Sequence, residues 1–209
     1  METKVIQKKL TLVIKKWWFS LIILLLFFIP SYTNKPLHPE KIESLVIAVL
    51  SQAIIYTYPI LFPFFKIAPI IILFILFKYR NKGSRIFSGY VAFNFLIVSV
   101  FQNMAHTQEY GFAILIGNLI VSLIVTGAWI WEAIADVNNF EKINLNIFKF
   151  FMILLALFAF WYPINMSSLE PDFNLLYIFT SESGLTFCML IPIYLTILIL
   201  IYPKVNYIM

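Results

Sequence analysis

Long blocks of apolar side chains alternate with short polar connectors along this chain. The blocks fall at roughly 17–32, 43–62, 64–79, 85–105, 110–132, 147–162 and 184–202. A helix crossing the roughly 30 Å apolar core of a bilayer needs about 20 apolar residues, fewer where long polar flanks reach back to water. In lipid every backbone amide must be paired within its own segment, so such blocks predict helices. Alternating segments of about ten residues, the mark of a membrane barrel, do not occur. The pattern therefore predicts an all-α fold, a multi-pass transmembrane helical bundle of six to seven spans, with residues 1–209 forming one integral membrane domain.

Charge orients the segments. The stretch KYRNKGSR carries Lys78, Arg80, Lys82 and Arg85, so the loop 78–85 is expected on the cytoplasmic side of a cell membrane. HTQEYG at 106–111 then lies outside, the 133–146 connector inside, connector 163–183 outside and the C-terminus, with Lys204, inside. Seven spans would leave Lys4, Lys8, Lys9, Lys15 and Lys16 outside. If one of the first three segments only dips into or lies on the membrane, those lysines return inside and the charge bias strengthens. Segment length favours seven spans, and charge favours six. WWFSLIILLLFFIP follows the five lysines with no small-x-small cleavage site, which reads as an uncleaved anchor helix.

Composition agrees: 62% of residues are hydrophobic, 12% are charged and the mean hydropathy is +0.91, well outside the range of soluble domains. The net charge of +5 sits beside apolar blocks, where it meets lipid headgroups, so the bilayer and no nucleic acid is the expected partner. Cys188 is the single cysteine; it excludes an internal disulfide and lacks the neighbours of a zinc site. No cofactor motif occurs.

Polar residues inside the apolar blocks are the candidate chemistry. At 100° per residue, Asn118, Ser122, Trp129, Glu132 and Asp136 share one stripe of the fifth segment. Ser99, Gln102, Asn103 and His106 share an arc at the outer end of the fourth. The short connector between the two segments predicts antiparallel packing, with Asn103, His106 and Asn118 lining a hydrated cavity that opens outward. The plainer account is hydrogen-bonded helix packing, worth about 0.6 kcal/mol per bond. Glu132 and Asp136, spaced i, i+4, suit a cation or a shared proton. A solvated helix end, with Trp129 and Trp131 in the aromatic belt, explains them equally. Lys66 lies in an apolar run with Pro59, Pro63 and Pro69. An ionisable group there is a functional hypothesis, and the plainer account is a tight turn between segments two and three at headgroup level.

Enzyme signatures are scarce. SESG at 181–184 falls short of the serine turn of intramembrane proteases: it lacks the leading glycine, and no histidine follows it. HExxH, CxxC, P-loop and dinucleotide fingerprints are missing. Connector 163–183, polar at both ends around LLYIF, is long enough to act as a lid, a re-entrant half-helix or a surface helix. The expected function is a small-solute transporter, channel or membrane substrate-binding subunit with a small-molecule or ion ligand. A structural or assembly subunit is the alternative, and a lipid-acting enzyme a more distant one.

Overall fold

A computed structural model of the protein describes residues 2–141, 143, 145–164 and 170–208. Lys142, in the connector expected inside, and the 165–169 part of the outer connector lie outside the described residues. The chain is mostly helical, and three of its helices are long and apolar enough to cross a membrane: α4 (Leu61–Tyr79), α5 (Asn81–Phe101) and α6 (Ile116–Ala135). A fourth candidate is bent by 97° between residues 177–185, which include the short α8 (Tyr177–Thr180), and α9 (Phe187–Ile201). Among the described residues the count by length and composition is thus three to four, short of the six to seven expected.

Each shortfall has a local cause. The first block winds as α2 (Trp17–Leu26) and continues in tight turns to Ile29, where Pro30 stops it. The second block yields only α3 (Ile42–Ser51) and a short 3₁₀ turn before Pro59. Segment six forms α7 (Ile147–Trp161), about 22 Å long at 1.5 Å per residue. It is opened by Asn146, whose side chain accepts the Lys149 amide at 2.8 Å, and closed by Tyr162 in the left-handed conformation. Ahead of the first block, Glu2–Ile14 winds as a further helix, α1.

Helix did not claim the whole of 85–105 and 110–132 either. Chain between α5 and α6 forms a hairpin of β2 (Met104–Thr107) and β3 (Gly111–Ile114), and β1 (Tyr32–Thr33) pairs with the other edge of β3. The Thr107 hydroxyl closes the turn, accepting from the Tyr110 amide at 3.0 Å and donating to the Gly111 carbonyl at 3.2 Å. Helix α3 covers this sheet with the fully buried Leu45 and Val49. At the rim, Lys41 pairs with Glu109 at 2.7 Å and Lys35 reaches the Gln108 carbonyl at 2.6 Å.

The main core lies among α4, α5, α6 and α9. Phe87 packs edge-on against Trp129 at 5.7 Å and against Tyr194 at 6.2 Å, and Phe95 meets Tyr194 at 5.5 Å. Trp129 is therefore a core residue, which corrects its expected place in an aromatic belt.

Helix order and contacts define two ends of the bundle. At the basic end stand the α4–α5 turn, the end of α6, the start of α7 and the end of α9. Helix α1 joins them, because Gln7 donates to Asn206 at 2.6 Å and accepts from the Trp131 indole. At the opposite end stand the sheet, α3 and residues 177–186. Helix α2 runs between the two ends, its last turn so close to α6 that a Cβ on Gly117 would sit 2.4 Å from the Leu26 carbonyl oxygen.

Candidate functional site

Lys66 sits inside α4 with none of its surface exposed, which corrects the expected turn at headgroup level. Pro63 falls in the first turn, where the missing N–H costs nothing, so the helix starts before Lys66 instead of after it. Pro69 lies deeper and leaves the carbonyl of Phe65 without its helical donor. Against that carbonyl packs Gly184, where a Cβ would come within 2.6 Å of the oxygen. This close approach brings Ser183 to Lys66. The Lys66 ammonium donates to the Ser183 hydroxyl and to the Phe160 carbonyl, and stands 4.3 Å from the centre of the Phe160 ring. Among the described residues no carboxylate lies within ion-pair distance of it, although Glu182 is next in sequence to Ser183.

The bend around Ser183 is held by side chains from α5 and from the 3₁₀ turn before Pro59. Asn94 of α5 donates to the Gly184 carbonyl and to the Tyr194 hydroxyl, both at 3.2 Å, while its own Oδ1 is buried without a partner. Gln102 accepts the Phe187 amide at 2.9 Å, capping the start of α9, and donates to Tyr56 at 3.0 Å. Tyr56 is bonded in turn to Thr186 at 3.1 Å. The site is thus a buried lysine at the kinked entrance to the last helix.

An apolar groove of about 730 Å³ runs beside it between α4, α7 and α9. Phe160 belongs to both, lining the groove and holding the ammonium.

The polar residues singled out from the sequence are distributed over separate places. Gln102 serves the kink. Asn103, on the turn leaving α5, donates to the Ser99 carbonyl at 2.8 Å and to Ser122 at 3.4 Å, and Ser99 meets Thr126 at 3.2 Å. These bonds join α5 to α6. His106 projects from β2 into the open, its ring 4.9 Å from that of Phe112. Asn118 is half-buried and lines a separate cavity of about 290 Å³ with Phe27, Pro30 and Leu37. Asn103, His106 and Asn118 therefore share no cavity, because the hairpin turns His106 away from the helix arc.

Glu132 and Asp136 likewise part. Asp136, in the left-handed conformation at the end of α6, pairs with Arg85 at 3.3 Å. Glu132 is fully buried and accepts the Asn138 amide at 2.7 Å and the Asn206 side chain at 2.6 Å. Asn206 was missed in the sequence, since nothing in YPKVNYIM sets it apart. Ser183 entered the sequence reading only as part of an incomplete protease-like turn, and Asn94, off the arc of Ser99, Gln102 and Asn103, did not stand out in it. Among the described residues no cluster of three or more His, Cys, Asp or Glu is placed to hold a metal ion. Compared with known proteins, the chain matches no family model, and neither the curated proteins nor the solved structures contain a significant relative.

Proposed function

We propose that this is a six-span integral protein of the cell membrane, with both ends of the chain in the cytoplasm, that binds or carries a small solute at the Lys66–Ser183 site. The spans in this reading are α2, α4, α5, α6, α7 and α9, with α1 lying on the inner surface. Charge supports it: Lys4, Lys8, Lys9, Lys15, Lys16, Lys78, Arg80, Lys82, Arg85, Lys149 and Lys204 gather at the end reached by α1 and the C-terminus. Among the described residues Lys35 and Lys41 stand at the other, with Lys66 buried near it. The short spans α2, α7 and α9 fit a locally thinned bilayer or long polar flanks, as hydrophobic mismatch allows.

The observation that carries the solute reading is the unpaired buried cation. An ammonium held away from water is costly unless compensated, and in membrane proteins such groups mark substrate or ion pathways. Its position at a broken helix, beside freed carbonyls, is one that transporter sites use repeatedly. Lys66 has three donors, of which Ser183 and the Phe160 carbonyl take two. A solute with an acidic or strongly accepting group completes the set.

The test is a thermal-shift screen of small carboxylates, phosphates and neutral metabolites on the purified protein, with Lys66→Gln and Asn118→Ala alongside. A ligand at 100 times its Kd adds about 2.7 kcal/mol to the folded state. A shift lost in Lys66→Gln and kept in Asn118→Ala supports this site. A shift lost only in Asn118→Ala moves the site to the smaller cavity. A second reading, a structural subunit, is favoured by one observation: Ser99, Asn103, Ser122 and Thr126 bond to α5 and α6 rather than to open space. If no solute shifts the wild type, that reading replaces the first.

A further inference from the structure

We infer that the ligand of Lys66 is an amphiphile with one acidic head and a single apolar chain, the chain lying in the groove between α4, α7 and α9. This rests on the solute reading above and narrows its substrate class. Lys66, Ile70, Leu73 and Phe77 follow one another at steps of three and four, with Pro69 next to Ile70, so they form one stripe of α4 with Lys66 at its end. All of them except Lys66 line the groove. Across from them stand Leu157 and Phe160 of α7 and Ile197 of α9. Polar surface is nearly lacking in the groove, the Thr196 hydroxyl being turned to the Met152 carbonyl at 3.1 Å. A sugar, nucleotide or amino acid would leave its own polar groups unpaired there, whereas an alkyl chain meets only carbon.

The dimensions agree. From Lys66 to Phe77 the helix rises about 16 Å, the length of an extended alkyl chain of roughly a dozen carbons. Lys66 lies little more than one turn from the start of α4, which in the six-span reading is the depth where a lipid's acidic head meets its chain. Charge complementarity decides the orientation. Lys66 is buried beside the outer end of the groove with one donor unfilled. At the inner end the buried Lys149 gives its ammonium to the Leu200 carbonyl at 2.9 Å, and Lys78 and Arg80 stand beyond it in open surroundings. The head binds at Lys66, where no water competes, and the chain points inward.

The experiment uses the full-length protein in nanodiscs and compares thermal shifts by dodecanoate, dodecanol, butyrate and dodecyl phosphate. Wild type, Lys66→Gln, Ile70→Trp and Leu157→Trp are run together; the two tryptophans fill the groove at exposed positions where folding tolerates them. Dodecanoate should bind more tightly than butyrate by roughly fourfold per added methylene that reaches the groove, and more tightly than dodecanol. Each tryptophan should remove the chain-length gain and leave butyrate binding in place. Lys66→Gln should remove the preference for dodecanoate over dodecanol. A larger shift with dodecyl phosphate assigns the head as a phosphate, a larger one with dodecanoate as a carboxylate. If butyrate shifts the protein and dodecanoate adds nothing, or if both tryptophan variants keep the full dodecanoate shift, the chain inference is overturned and the solute reading stands. If none of the acids, dodecyl phosphate included, shifts the wild type, the chain inference fails, and a shift by another solute in the wider screen keeps the solute reading.

Discussion

Asn94, in the middle of α5, and Gly184, in the turn before α9, are joined by a 3.2 Å hydrogen bond across 90 residues of sequence. The same amide group reaches Tyr194, so one side chain sets both the entrance and the first turns of α9. Asn94→Ala leaves the Gly184 carbonyl and the Tyr194 hydroxyl buried and unpaired. The expected loss is about 1–3 kcal/mol, read from reversible unfolding in mixed micelles. A loss below a few tenths of a kcal/mol would show that the kink holds without it.

Gly184→Ala tests the contact that delivers Ser183 to Lys66. The added Cβ meets the Phe65 carbonyl, which is backbone and cannot swing aside. Overpacking of this kind costs about 1–3 kcal/mol, and binding at Lys66 should weaken with it. Gly127→Ala is the control, because nothing lies within 4 Å of a Cβ there. It should be neutral or slightly stabilising, as expected for Gly to Ala inside a helix.

Asn206→Leu removes the donor to Glu132 and the acceptor of Gln7 together. Loss of a hydrogen bond to a buried carboxylate costs about 1.5–3 kcal/mol. Helix α1 should then come loose, which limited proteolysis at Lys4, Lys8 or Lys9 would register as faster cleavage. Unchanged cleavage would mean that Trp131 alone holds the helix.

Placement of the two ends is tested by single-cysteine labelling in a Cys188→Ser background. Cysteines at positions 4 and 204 should react with an impermeant reagent only from the cytoplasmic side, and one at position 41 only from outside. Opposite reactivity of positions 4 and 204 would restore the seven-span arrangement.

At the exposed rim the hydrogen-bonded pairing with Glu109 raises the Lys41 pKa, and the bond from Lys41 depresses that of Glu109. The signs follow. The Glu109 contribution is present above the usual carboxylate range and lost as pH falls through its depressed value. That of Lys41 is full below the usual lysine range and lost as pH rises through its elevated value. Because both side chains are more than half exposed, Glu109→Gln should lower the melting temperature only slightly at neutral pH. Added salt should erase that difference. A large or salt-insensitive drop would show that the cap depends on this pair.

How far the sequence could be read differs from element to element. Helices α4, α5 and α6 were legible because they carry long, mainly apolar runs. The hairpin was not: MAHT and GFAI are too short to show alternation, and only Tyr110-Gly111 hints at a turn between strands. Without the hairpin, His106 fell on a helical arc it does not occupy. Lys66 was singled out correctly as anomalous, but its partners Ser183 and Phe160 lie 117 and 94 residues away. No local pattern encodes such a pairing. Glu132 looked like half of a carboxylate pair because spacing alone does not reveal that Asp136 ends its helix left-handed and turns to Arg85.

The knot between Gln7, Trp131 and Asn206 sets an order in time as well as in space. A chain is made from its first residue onward, and α1 emerges long before its partners, which lie 124 and 199 residues later. Until the last stretch is released, Val5, Ile6, Leu12 and Val13 have no protein surface to cover them, and even in the finished fold they stay exposed. In the six-span reading the inner leaflet shelters α1 throughout synthesis, its lysines among the headgroups. The amide bonds of Asn206 then close the structure only once that residue is made, so a chain terminated before it leaves Glu132 with the Asn138 amide alone and α1 held only through Trp131.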